Sequence, residues 1–243
     1  MKVAMLNVGW LSSQAAIWRQ GEDPELRIRF PIPAYLIETG DERILVDTGL
    51  NPSAVEDPGS FYGRPDALAP FELELEEDIS EQLDAGTLTR IVLTHLHFDH
   101  AGGLSRLPAS IPIVVQRREW EAGHDHAVSE RNFLNPRDYA GAEREVQLVD
   151  GDHDLLGDGS IELLLTPGHT PGHQSVRIGQ ALILGADVAH FMSTYEDHRF
   201  PVFADDHAAQ ADSADRLRRR REDGARLLPG HDPDVLRPGP VAL

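Results

Sequence analysis

From Thr94 to Gly103 the chain reads THLHFDHAGG, and four of those ten side chains, His95, His97, Asp99 and His100, are metal ligands or proton acceptors. In an extended segment residues two apart point the same way, so His95 and His97 can reach one ion together, while Asp99 and His100 lie past the bend. One tetrahedral ion does not need four ligands from a single loop plus others elsewhere; two ions do. The others are present: His169 in TPGHTPGH, Asp187 in LILGAD and His231 in LLPGHD follow apolar runs. Seven nitrogen and oxygen ligands without a thiolate are the number expected for two divalent ions bridged by a carboxylate and a hydroxide, a site that makes a nucleophile from water near neutral pH.

Other polar residues read differently. His173, four residues after His169, is expected to be a buried hydrogen-bond partner that orients the site, not a ligand. Asp47 closes the run RILVD at the same sheet edge, and is expected to orient a metal-bound histidine from the outer shell. His124, His126, His153, His198 and His207 stand in polar contexts and read as solvated surface residues. The run RLRRRRED (Arg216 to Asp223) reads as a solvated face near a helix C-terminus, where basic residues suit the helix dipole.

The elements that must hold these ligands are visible as short β-branched runs bounded by Gly, Pro and Asp. They are Val3 to Val8, Ala34 to Glu38, Arg43 to Asp47, Arg90 to Thr94, Ile111 to Gln116, Ile161 to Leu165, Gln174 to Ile178 and Ala181 to Gly185, and each reads as a strand. Between them helices are expected over EEDISEQLDAG, with Gly86 as its stop, near Gly102, near Arg117, and over His207 to Asp223. Helices follow strands often enough to favour an α/β layered sandwich over an all-β barrel. Ligands at the C-terminal ends of such strands face the crevice where α/β sheets bind. Two Pro- and Gly-bearing or polar stretches, Asn51 to Phe71 and Gly123 to Tyr139, read as loops rimming a pocket.

At 243 residues the chain is expected to be one domain spanning 1–243. Its 22 basic and 41 acidic side chains leave a net charge of −19, which repels nucleic acid and anionic lipid and favours a neutral or cationic small molecule. With no cysteine, any metal must sit on nitrogen and oxygen. The opening MKVAMLNVGWLSSQ lacks the unbroken apolar stretch of a signal peptide, and no window has the roughly 18 apolar residues needed to cross a bilayer, so a cytoplasmic protein without membrane contact is expected.

THLHFDHAGG, TPGHTPGHQS, the Asp of LILGAD and the late PGHD resemble the metallo-β-lactamase superfamily, and LVDTG, HLHFDHAGG, IVVQRREW and PGHTPGHQS are similar to the N-acyl homoserine lactonases within it. The resemblance implies a four-layer αβ/βα sandwich with a dinuclear site. It implies that His95, His97 and His169 hold one metal, Asp99, His100 and His231 the other, and that Asp187 bridges them, with zinc the foremost candidate for both ions. It further implies a lactonase that opens the ring by attack of a metal-bridging hydroxide, Asp99 passing a proton to the leaving oxygen. Where those lactonases usually carry a tyrosine three residues after the bridging aspartate, this chain has His190, expected to hydrogen-bond the substrate in its stead. Phe61, Tyr62, Phe71 and Phe133 are candidates for an acyl-chain groove. The alternatives are the same site acting on another ester, a thioester or a phosphotriester, and a metal-dependent binding or sensing module without turnover. A homodimer is compatible with either.

Overall fold

A computed structural model describes residues 1–140 and 143–243. Its strands are β1 (Lys2–Gln14), β2 (Arg27–Thr39), β3 (Glu42–Val46), β4 (Glu72–Glu74), β5 (Arg90–Val92), β6 (Ile113–Gln116), β7 (Val146–Val149), β8 (His153–Asp154), β9 (Ile161–Leu165), β10 (Gln174–Ile178), β11 (Leu182–Ala186), β12 (Arg226–Pro229) and β13 (Gly239–Val241). One sheet runs β13-β1-β2-β3-β5-β6-β7, with β4 beside β1; the other runs β12-β11-β10-β9-β8.

Alternation along each strand decides what lies between the sheets. Ile44 and Val46 of β3 pack with Val92, Leu163, Val176, Leu182 and Leu184 in the core the two sheets share. Leu45, Ile91, Ile113 and Val115 turn the other way, onto Trp18, Ala101, Ala122 and Tyr139. On the outside of the smaller sheet, Leu164, Ile183 and Leu227 pack on Ala214 and Leu217 of the helix His207–Glu222. The layers are therefore helix, sheet, sheet, helix, a four-layer αβ/βα sandwich. The two sheets are tied beneath the ligand loops, where Gln174 donates its backbone N–H to Thr94 O (2.9 Å) and its Nε2 to Leu93 O (2.8 Å). Among the described residues no helix is long and apolar enough to cross a membrane.

Three expectations need adjusting. The helix read over EEDISEQLDAG is a single turn, Ile79–Gln82, followed by a 3-10 turn, Ala85–Thr87. Asp84 breaks it, because its carboxylate accepts from Gly86 N–H and starts a new cap instead of continuing the old helix. The stretch from 51 to 71 is ordered, with short helices Pro58–Tyr62 and Pro65–Leu68, the first capped by Asp57. The stretch from 123 to 139 likewise carries the helices His126–Arg131 and Pro136–Tyr139.

Those two stretches meet at a buried carboxylate. Tyr62 Oη donates to Asp138 Oδ1 at 3.2 Å, while Asp138 Oδ2 has no partner. Burial outweighs that bond and pushes Asp138 up to about 7. A carboxyl raised in the folded state costs nothing below its unfolded pKa, and the cost grows until pH passes about 7. Asp138→Asn is therefore expected to stabilise the protein by about 3 kcal/mol more at pH 8 than at pH 5, roughly 2–4 °C of Tm per kcal/mol. Equal Tm shifts at the two pH values would rule this out.

Candidate metal centre

His95 and His97 leave the end of β5 in extended backbone, and the one-turn helix Phe98–Ala101 then carries Asp99 and His100 back over the sheet. The turn lies flush on the loop after β3: Thr48 N–H and Oγ1 both donate to His100 O, and Gly103 N–H donates to Gly49 O. A Cβ at residue 103 would overlap Thr48 O, which is why this segment ends in glycine. Asp187 ends β11 after Ala186, which takes a left-handed φ of 47°, and His231 follows β12. His169 follows β9.

Most ligand imidazoles are aimed through their second nitrogen. His97 Nε2 donates to Asn132 O (2.8 Å) and His231 Nδ1 to Pro31 O (2.9 Å). His100 Nδ1 donates to Asp47 Oδ2 (2.8 Å), while Asp47 also accepts from Thr94 N–H and Thr94 Oγ1, each at 2.8 Å. Such bonds settle the tautomer and leave the opposite nitrogen free. Asp47 holds a φ of 59°, a strained conformation that these three bonds offset. His173 accepts from Asp187 N–H at 3.1 Å and points away from the cluster's centre.

The free atoms converge. His97 Nδ1 is 3.0 Å from His95 Nε2 and 2.9 Å from His169 Nε2, and Asp187 Oδ2 is 3.3 Å from His169 Nε2 and 3.8 Å from His95 Nε2. For ligands about 2.0–2.1 Å from a tetrahedral ion, neighbouring ligand atoms should be about 3.3 Å apart, the middle of this range. The other carboxylate oxygen, Asp187 Oδ1, lies 3.2 Å from His231 Nε2 and 3.5 Å from His100 Nε2, and Asp99 Oδ2 lies 3.6 and 3.8 Å from the same two nitrogens. His100 Nε2, His231 Nε2 and Asp187 Oδ1 are buried and have no hydrogen-bond partner among the described residues. Buried polar atoms of this kind are rare, and a cation would satisfy all three, so the side chains fit divalent metal.

The electrostatics of the two halves differ: against burial, the Asp187 and Asp99 carboxylates hold His100 well above and His231 above the usual histidine range, so a cation would displace protons there. Burial, then neighbouring imidazoles, keep His95 and His169 well below the usual histidine range, so they are neutral and able to ligate. Burial alone would raise Asp187, but His190, His231 and His100 hold it well below the usual carboxylate range.

His190 is fully buried, with Nε2 2.9 Å from Asp187 Oδ2 but without hydrogen-bonding geometry. Its ring stacks on His231 and packs on Trp18. Asp187, His190 and His231 also present ligand atoms close to one another. His124 and His126 are exposed, and His198 pairs with Asp215.

The cluster forms the floor of a cleft of about 220 Å³, where His97, Asp99, His169 and Asp187 meet apolar walls. Phe71 and Phe133 line it. Phe61 and Tyr62 do not: they pack in a separate cluster with Ala54 and Leu68. Trp18, Val202 and Phe203 line it without having been singled out in the sequence, because nothing local distinguishes an aromatic that faces a cleft from one in the core.

Residues 27–231 match the metallo-beta-lactamase superfamily. An N-acyl homoserine lactonase of Bacillus thuringiensis is 33% identical over 185 residues, 72% of this chain and 70% of its own. N-acyl homoserine lactonase AttM of Azorhizobium caulinodans is 28% identical over 249 residues, 97% of this chain and 94% of its own. Among solved structures, an N-acyl homoserine lactone hydrolase with N-hexanoyl-L-homoserine bound at its catalytic metal centre superposes with a TM-score of 0.83 at 27% identity, covering 96% of this chain and 94% of the other.

Proposed function

This chain belongs to the metallo-beta-lactamase superfamily and is a metal-dependent hydrolase of ester bonds, and from that premise we propose that it opens the ring of N-acyl homoserine lactones. The observation that carries the reading is the division of Asp187, one oxygen toward His95 and His169 and the other toward His100 and His231, beneath an apolar cleft.

In this reading His95, His97 and His169 would hold one divalent ion and Asp99, His100 and His231 a second, with Asp187 shared between the two; zinc suits the donor set. Bound there, the ions would supply Lewis acidity, lowering the pKa of water and polarising the lactone carbonyl. Asp99 is at the cleft floor, where its carboxylate takes a proton from the attacking water and returns it to the departing ring oxygen. His190 has its ring against Asp187 and walled from the cleft, so we assign it to steadying the Asp187 carboxylate; a hydrogen bond to substrate would need the ring to turn. Trp18, Phe71, Phe133 and Phe203 exclude water and accept the acyl chain, each methylene contributing about 0.8 kcal/mol when buried.

The test follows acid release with a pH indicator when metal-loaded protein meets short- and long-chain N-acyl homoserine lactones, beside a chelated control. Rapid, chelator-sensitive acidification is expected. No release from protein holding two ions would move the assignment to another ester, a thioester or a phosphotriester. Phe133→Ser is expected to lower kcat/KM for a decanoyl lactone by roughly 10–100-fold, the worth of about 1.5–3 kcal/mol of lost aromatic burial, and for a butanoyl lactone much less. Equal losses on both would remove Phe133 from the groove.

A further inference from the structure

Glu119 sits in the first turn of the helix Arg117–His124, fully buried, and forms no salt bridge among the described residues. A carboxylate there would suit its own helix dipole from the surface, yet it turns inward and bonds groups from two other segments. Its Oε1 accepts from Leu96 N–H at 3.0 Å, the residue between His95 and His97. Its Oε2 accepts from Thr170 Oγ1 and from Gly172 N–H, both at 2.8 Å, just past His169. The approach is close enough that a Cβ on Gly172 would overlap the backbone of Glu119.

We propose that Glu119 is a positioning residue, a carboxylate clamp that sets the spacing of the His95–His97 loop against the His169 loop and so shapes one three-histidine face. The clamp acts mainly on that face: Leu96 is flanked by His95 and His97, and Thr170 adjoins His169, whereas His100, a turn further on, is held through Asp47 and Thr48 instead. All three partners are donors, which only a carboxylate can accept together. Burial drives this carboxyl up to about 7, opposed by those same three bonds. Glutamine has the same shape but one acceptor oxygen, and whichever way it is set its NH₂ would confront a backbone N–H, that of Leu96 or that of Gly172.

The inference rests on the reading of two bound ions, and metal titration separates the two. Wild-type and Glu119→Gln protein are titrated with zinc against a chromophoric chelator, and cobalt-loaded samples are compared by visible absorption. Wild type binding fewer than two ions would overturn the reading of the site itself. With two bound, Glu119→Gln is expected to weaken one ion about 10–100-fold, the usual loss when a ligand's supporting bond goes, to weaken the other much less, and to lower kcat with KM held. Thr170→Val, which removes one of the three donors and preserves shape, is expected to do the same to a smaller degree, and serves if the glutamine variant fails to fold. Unchanged affinities with only a lower Tm, or equal weakening of both ions, would overturn the clamp.

Discussion

Asp187→Asn is expected to purify as folded protein that retains one tightly held divalent ion and loses at least about 10³-fold in kcat/KM on lactone, at the upper end of what removing one electrostatic stabiliser costs. The fold should survive, because the segment is held by backbone: Asp187 N–H donates to His173 Nε2, and Gln210 Nε2 donates to Asp187 O and Val188 O. The side chain is another matter. Its two oxygens face five imidazole nitrogens at 2.9–3.8 Å, those of His95, His169 and His190 on one oxygen and those of His100 and His231 on the other. An amide offers one acceptor and one donor, so whichever way it is set, an NH₂ group confronts a position shaped for a cation. At an effective dielectric near 20 a pair of unit charges 4 Å apart is worth about 4 kcal/mol, and with the proposed pair of divalent ions bound the lost charge would be one that stood beside both. Metal analysis and steady-state kinetics on the same sample decide it. Two ions and full activity in the variant would end the bridging scheme.

Stripping the metal is expected to lower Tm steeply. With free metal at about a thousand times Kd, each site adds about 4 kcal/mol to stability, so two independent sites add about 8, on the order of 15–30 °C for a chain of this length. The physical source is the cluster itself: His100 Nε2, His231 Nε2 and Asp187 Oδ1 are buried without partners among the described residues, and His97 Nδ1 lies 3.0 Å from His95 Nε2 and 2.9 Å from His169 Nε2. In the absence of cations these atoms bear their desolvation uncompensated. Thermal melts across a series of buffered free-zinc concentrations should show Tm climbing with the logarithm of free metal. A Tm indifferent to chelator, in protein shown to have lost its metal, would mean that the cluster is stable on its own.

The candidate ligand types and their attachment to strand ends were legible from residue order, because a strand of five residues and an H-x-H-x-D-H turn are both local objects. Ile161–Leu165 and Gln174–Ile178 were readable to the residue for the same reason, each a short apolar run with turn residues at both ends. β12 was legible only as the apolar run before His231, without bounds, since RLLP offers four residues and no alternation; its parallel pairing with β11 fixes it as a strand. The absence of cysteine and the charge of −19 likewise needed no fold to exclude thiolate ligands and to disfavour nucleic acid.

What only the tertiary structure decided is how those groups face one another. Asp47 meets His100 across 53 residues, Glu119 meets Thr170 across 51, and Pro31 steadies His231 across 200. No spacing rule reaches that far, because the contacts form where two sheets pack and every loop between is free to set its own length. Trp18 and Phe203 became cleft walls, and Tyr62 a core residue bonded to Asp138, by the same cause. An aromatic side chain buries equally well in a core or a cleft, and only the packing of distant segments determines which of the two surrounds it.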